Sequence, residues 1–494
     1  MRATAPQRYD MIIDGREVQA ASGEVFEVRN PADTDEIVGW APRGDRQDVR
    51  RAAEAARAAL ETSWWSRAHE SRRRGRVLLR FCELVEQHKD ALARLLTREQ
   101  GKIYRESIAE LDSLINTFEY YAGYGGKIAG EVKYVRDGDS IVKVETRKEP
   151  IGVCAAILPF NFPVSLYAWK VAPALMAGNA VIVKPAATTP LVDLRLTALL
   201  QEAGIPAGIA SCVTGPAATV GDEIVMHPAI RKIAFTGSTQ VGRHVYKMAT
   251  EHLKHVTLEL GGSDPTVICD DADLPLAAQT IVRSGRFRNC GQSCTSVKRL
   301  FVFEAVYDRF LTLLAEETRR LRLGDGLDPQ TDMGPLHTAR ARDEMEQVVA
   351  DALGAGARVV TGGRRASGAG LERGHFFEPT VLADVPEGAR AWTEEVFGPV
   401  LPVRRVGTLE EAIAACNGTP YGLGAGVWTE SAKRIERFVA GIESGIVWVN
   451  YKPLSVPETP FGGVKDSGLG RELGAEGLAA YLETKSIRTY VGPA

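Results

Sequence analysis

The sequence predicts an α/β protein with parallel sheets covered on both faces. Two observations point there, and a third marks what lies outside them. From 150 to 260, short apolar runs alternate with helical patterns. From about 262 to 440 the alternation resumes, as a second α/β unit. A charge-rich alternating stretch at 130–150 and a strand-like tail, "YLETKSIRTYV", belong to neither.

The elements follow in order. Residues 45–60, "DRQDVRRAAEAARAAL", read as an Ala-rich helix entered at Asp45, and 70–98 and 106–121 carry helical apolar spacing. The basic stretch Arg72-Arg73-Arg74-Gly75-Arg76 runs into Val77, Leu78, Phe81, Leu84 and Val85, and reads as the solvated start of a surface helix. "GEVKYVRDGDSIVKVETRKEP" alternates, turns at Asp137-Gly138 and alternates again, as a hairpin does. A lone hairpin is unstable in water, so it is expected to pack on something else, another subunit included. "IGVCAAIL" is a buried strand, "WKVAPALMAG" a helix ended by Gly178, "NAVIVKP" a strand, "DLRLTALLQEAG" a helix and "ASCVTG" a strand. The strand "IRKIAFTG" opens into the helix "STQVGRHVYKMAT", and "HVTLELGG" is the next strand. "TVICDDAD", "RLFVFEAVYDRFLTLLAEETRRL" and "GARVVTGG" continue the second unit.

Charge and composition narrow the function. With 60 basic and 63 acidic residues the net charge is −3, and no basic block interleaves with aromatics, so no nucleic-acid partner is expected. Residues 151–169 carry no charge over 19 positions, long enough to span a membrane. Pro159, Asn161 and Pro163 would break such a helix and leave an amide in lipid, so a strand, turn and helix are expected instead, with no membrane partner. The N-terminal "MRATAPQRYDMIIDG" has no apolar h-region, which argues against a secretory signal. Seven irregularly spaced cysteines argue against a disulfide framework and for a reducing compartment; the expectation is cytoplasmic. Cys290 and Cys294 have no second Cys/His pair nearby, so no metal site is expected.

Four motifs carry candidate chemistry, each with a structural alternative. In "FTGSTQVG" a strand runs through Gly237 into a helix beginning at Ser238, and Gly242 follows; this is a phosphate site at a helix N-terminus or a plain strand-to-helix turn. In "KPAATTP" Lys184 ends a parallel strand, where such sheets bind ligands, or is a solvated strand end. In "LELGGSDP" Glu259 sits in an otherwise apolar strand, as a general base or half of a buried salt bridge. In "PFNFP" prolines hold Asn161 rigid, as an oxyanion donor or a turn residue.

Taken with "FRNCGQSCT", "EEVFGPV", "VWVN" and "PFGGVKDSGLGRE", these motifs resemble the NAD(P)-dependent aldehyde dehydrogenases over essentially the whole chain, in order and in spacing. Glu259 and Cys294 lie 35 residues apart, as in that family. The resemblance implies a Rossmann-like coenzyme domain (1–129 and 150–261), an α/β catalytic domain (262–476) and a β-strand oligomerisation arm (130–149 and 477–494). It also implies a homodimer or homotetramer acting on a small-molecule aldehyde.

The same resemblance assigns roles. The Cys294 thiolate attacks the aldehyde, Asn161 and the Cys294 N–H hold the oxyanion, hydride passes to the nicotinamide, and Glu259 activates water to hydrolyse the thioester. Branches that acylate coenzyme A generally lack this glutamate. Lys170 resembles a lysine that supports proton relay, and Cys290 receives no task. Lys184 would reach the adenosine ribose, Ser238 the pyrophosphate, and Glu395, with Phe397 beside it, the nicotinamide ribose. NAD-preferring members commonly carry Glu three residues after this Lys; here Ala187 stands there, which removes repulsion toward a 2′-phosphate and predicts that NADP is accepted as well as NAD. Phe162, Leu166, Trp169, Ser293, Thr295, the loop 451–459 and Phe461 are expected to line the substrate tunnel. Trp169 occupies a position where succinate-semialdehyde members usually carry Arg. Lys452 is either an attractor for an acidic substrate or a solvated lysine.

Overall fold

The apolar runs become the centres of two sheets. In the computed structural model, which describes residues 6–368 and 370–494, the strands Val153–Ile157, Ala180–Lys184, Ala210–Cys212, Ile230–Thr236 and His255–Glu259 pair in parallel. Met11–Ile13 and Gly468–Leu469 add antiparallel neighbours to this eight-stranded sheet. Ala180–Lys184 is buried at every position, with the helices Arg46–Thr62 and Pro163–Ala177 packed on it. An unbroken apolar strand needs such cover on both faces.

The uncharged stretch 151–169 divides as its prolines require. It forms the strand Val153–Ile157, a turn, and a helix with Pro163 in its first turn, where the missing N–H costs nothing. Gly178 ends that helix at φ 94°, a left-handed cap that suits glycine. Among the described residues no helix is long and apolar enough to cross a membrane. The N-terminal reading begins in residues 1–5, outside the described residues.

Asp45 caps the helix Arg46–Thr62, accepting from Gln47 N at 2.7 Å. The helices expected at 70–98 and 106–121 run Ser71–Gln100 and Tyr104–Ala122. One arginine of the basic stretch departs from the solvated reading. Arg74 is buried and donates to Met176 O at 3.0 Å and Trp65 O at 2.7 Å, because the carbonyl end of the helix Pro163–Ala177 needs donors there. The hairpin pairs Val132–Asp137 with Ser140–Pro150. Its turn is Gly138-Asp139, one residue beyond the expected position, since Asp137 is still paired with Ser140. The tail Leu482–Pro493 joins Ser140–Pro150 and makes a three-stranded sheet with Val132, Tyr134 and Tyr490 exposed.

The second sheet has seven strands, in the order Arg358–Thr361, Thr380–Ala383, Val400–Val406, Arg299–Phe303, Pro265–Ile268, Gly424–Trp428 and Ile446–Val449. Only its first strand is antiparallel. It has its own core around Val267, Phe301, Leu382 and Val427. The chain comes back to the first core through Phe461, Leu473 and Tyr481, and Gly468–Leu469 pairs on the strand that ends at Glu259.

Candidate active site

Four strand ends of the first sheet make one row. Thr236 pairs with Glu259, and Ile157 pairs with Lys184, all at the carboxyl ends where parallel sheets bind ligands. Beyond the row lies a cavity of about 660 Å³, lined by Lys184, Ala187, Gly237, Ser238, Glu395 and Phe397 and reaching Asn161 and Cys294. Residues from both sheets therefore share one space.

The loop that carries Cys294 is held in an unusual backbone. Asn289, Cys290 and Gly291 have φ of 48°, 56° and 71° in succession. For the two residues with side chains this left-handed form costs about 1–2 kcal/mol each. Specific contacts offset it. The Glu106 carboxylate accepts Asn289 N at 3.2 Å, and Asn289 Nδ2 donates to Asn161 O at 2.9 Å. Lys102, ion-paired with Glu110 in the interior, donates to the same Asn161 carbonyl at 2.8 Å. Asn161 Nδ2 donates to Gln292 O at 3.0 Å, which spends one of its two N–H bonds. The Gln292 side chain spans Asn289 O and His337 N. Among the described residues six cysteines are buried, and Cys294 is mostly but not fully buried.

The acids around it are unusual too. Glu259 is 3 % exposed, and among the described residues neither carboxylate oxygen has a hydrogen-bond partner. Burial, then the neighbouring Glu472, raises its pKa well above the carboxylate range; Lys170 and Arg471 oppose the rise. Lys170 Nζ pairs with Glu472 at 2.8 Å and donates to Thr236 Oγ1 at 2.7 Å. Burial pushes the Cys294 thiol up to about 12; Lys298 opposes this, while Asp264, Glu259 and Glu395 add to it. Burial thus favours the neutral thiol, and the attacking thiolate has to be formed against it.

At the far end of the cavity, Lys184 is 5 % exposed and donates only to Pro185 O, at 3.1 Å. Burial lowers its pKa to about 8. It makes no salt bridge among the described residues, and Ala187 beside it is exposed and uncharged. Ser238 caps the helix Thr239–Ala249, its Oγ accepting from Val241 N at 3.4 Å. Gly242 stands apart from the cavity lining; a Cβ there would meet the Leu260 side chain at 2.3 Å, so close helix-to-strand packing uses this glycine.

The model of the aldehyde dehydrogenase family matches residues 18–487. The chain is 38 % identical to betaine aldehyde dehydrogenase of Bacillus subtilis (strain 168), over 98 % of each chain. It is 40 % identical to succinate-semialdehyde dehydrogenase [NADP(+)] of Escherichia coli (strain K12), over 97 % of each. A crystal structure of Staphylococcus aureus betaine aldehyde dehydrogenase in complex with NAD+ superposes with a TM-score of 0.94 at 35 % identity, covering 97 % of this chain and 94 % of that one. The chain belongs to the aldehyde dehydrogenase family. It is an NAD(P)-dependent oxidoreductase acting on an aldehyde.

In this aldehyde dehydrogenase the expected tunnel residues come from separate segments. Leu166 and Trp169 are buried on the helix Pro163–Ala177, and the Trp169 ring packs on Phe461 with centroids 4.7 Å apart. Phe162 has Lys102 Nζ 4.2 Å and the Arg288 guanidinium 5.1 Å from its ring centre. Ser293 and Thr295 flank the sulfur with their hydroxyls 3.4 Å apart. Lys452 is half-buried and makes no salt bridge among the described residues.

Several polar residues that shape the site were not singled out from sequence: Lys102, Asn289, Glu472 and Lys298. Lys298 stands just before the apolar run 300–303, while Lys102, Asn289 and Glu472 lie in polar stretches that contain glycine, so the local signal was weak. Their partners lie far away in the chain, so the signal had no direction.

Proposed function

We propose that this aldehyde dehydrogenase converts its aldehyde to the free acid through a thioester on Cys294, and that Glu259 takes the proton of the water that hydrolyses it. The Glu259 carboxylate carries the reading: it is buried at a strand end, its charge felt at Cys294, with both oxygens unpartnered. A bare buried carboxyl is costly, and its raised proton affinity is what a general base requires.

The steps follow from where charge develops. The Cys294 proton leaves to solvent as Sγ bonds to the aldehyde carbon, and the carbonyl oxygen becomes an oxyanion. The second Asn161 N–H and the Cys294 backbone N–H stabilise it. Bound NAD(P)+ supplies the hydride acceptor. Water then attacks the thioester carbon, Glu259 takes the water proton, the C–S bond breaks, and the acid departs. Burial raises the Glu259 proton affinity most, Glu472 adds to it and Lys170 opposes it.

Lys184, Ser238, Glu395 and Phe397 are the residues that would hold the dinucleotide, and the continuous cavity from Lys184 to Cys294 fits one. Gly237 lines the same cavity at the turn from strand to helix. A buried lysine without an acid, next to Ala187, favours NADP as well as NAD. The first sheet, with 1–129 and 150–261, serves the coenzyme, and 262–476 carries the nucleophile. The arm at 130–149 and 477–494 joins subunits into a dimer or tetramer, its exposed Val132, Tyr134 and Tyr490 favouring burial.

The test is Glu259→Gln under rapid mixing with aldehyde and NAD(P)+. One equivalent of NAD(P)H per site should form, acyl-Cys294 should accumulate in the intact mass, and free acid should be absent. Parental turnover to the acid would overturn the reading.

A further inference from the structure

Lys298 follows the nucleophile by four residues, at the entrance to the strand Arg299–Phe303. Its side chain is 1 % exposed. Its Nζ donates to the carbonyl oxygen of Cys294 itself at 2.5 Å and pairs with Glu395 Oε1 at 3.3 Å. The same Glu395 oxygen accepts Gly262 N at 3.0 Å. One buried ammonium thus ties the nucleophile's own peptide to the acid on the other wall of the cavity.

Four charged groups act electrostatically on the Cys294 sulfur. Lys298 comes from its own loop, Asp264 from the entrance to the strand Pro265–Ile268, Glu259 from the end of the strand His255–Glu259, and Glu395 from the segment before Val400–Val406. Three are acids, which favour the neutral thiol. Lys298 is the one cation of the four, and in a dry site a single charge at this range carries weight. A buried lysine is also expensive, and here it has no substrate-facing surface to justify it.

We propose that Lys298 is a positioning residue that sets how readily Cys294 gives up its proton, and that Glu395 limits this by sharing the same ammonium. The proposal rests on Cys294 being the nucleophile. A methionine at 298 keeps the length of the side chain and removes the charge. A glutamine at 395 removes the competing anion and leaves Lys298 in place. The two changes therefore act in opposite directions on one sulfur.

The readout is alkylation of the cofactor-free enzyme by iodoacetamide from about pH 7 to about pH 10, with the modified cysteine located by peptide mass spectrometry. In Lys298→Met the Cys294 profile should move up by about one pH unit, slowing alkylation about tenfold on its rising limb. Lys298→Arg should restore most of the parental rate. Glu395→Gln should move the profile down, and it decides the matter if Lys298→Met fails to give the parental circular dichroism. A parental profile in folded Lys298→Met, or no downward move in Glu395→Gln, would overturn the proposal. Alkylation of the parent at a cysteine other than Cys294 would overturn the nucleophile assignment as well.

Discussion

Lys170 Nζ lies 2.8 Å from Glu472 Oε1, although 302 residues separate them. Both side chains are nearly or fully buried, and Thr236 completes the lysine's bonding. This pair stands between the helix Pro163–Ala177 and the segment that returns late in the chain. Breaking it leaves an uncompensated interior charge. Lys170→Met should lower the unfolding free energy by about 3–5 kcal/mol in a denaturant titration. Lys170→Met combined with Glu472→Met should recover much of that loss. Equal stability of the single and double variants would show that the pair is not the source.

Glu259 makes stability depend on pH with a definite sign. Its pKa is raised above the ordinary value of 4.5 in the native state. Between the two values the native state keeps a proton that the unfolded chain has lost, so stability falls as pH rises. Glu259→Gln removes that penalty. The unfolding free energy of the variant minus that of the parent, from denaturant titrations, should be near zero below about pH 4.5 and grow as pH rises above it, by at most about 1.4 kcal/mol per pH unit. A constant difference across this window would contradict the buried-carboxyl picture.

The cofactor preference should follow Ala187. Placing a carboxylate beside Lys184 gives that lysine a partner and repels a 2′-phosphate. Ala187→Glu should lower kcat/KM with NADP by about tenfold or more relative to NAD, equivalent to about 1.4 kcal/mol. An unchanged ratio would place the discrimination elsewhere.

The two neighbouring cysteines should behave oppositely. Cys290 is 1 % exposed, its thiol pKa is raised by burial, and its backbone is left-handed. Cys290→Ala should keep kcat within about threefold of the parent, in line with a small buried side chain that makes no bond to substrate. Cys294→Ser should abolish aldehyde oxidation while circular dichroism stays the same.

Asn161 should matter to the rate more than to binding. Asn161→Ala removes an oxyanion donor, and kcat should fall about 10²–10³-fold. Because Lys102 and Asn289 hold the Asn161 backbone carbonyl, the peptide should stay in place and KM should change little.

Much of this was legible in the sequence because the signals are local. Asp45 marked a helix start and Gly178 a helix end, and both act on backbone groups within a few residues. The row formed by Lys184 and Glu259 at strand ends followed from the alternation of strands and helices. Arg74 misled because its acceptors, Trp65 and Met176, come from other segments. The hairpin turn shifted by one residue because cross-strand pairing, not the Asp-Gly signal, decided it.

The amino-acid sequence by itself determined the elements, their alternation into two sheets, and the identity of the thiol, carboxylate and amide that meet at the site. Each is a matter of short-range periodicity or motif spacing. Only the tertiary structure decided the charge states and the supports. That burial favours the Cys294 thiol, that Glu259 has no hydrogen-bond partner among the described residues, and that Lys298 reaches both Cys294 O and Glu395 depend on burial and on contacts between distant parts of the chain. Desolvation and Coulomb interactions act through space, and chain distance carries no information about either.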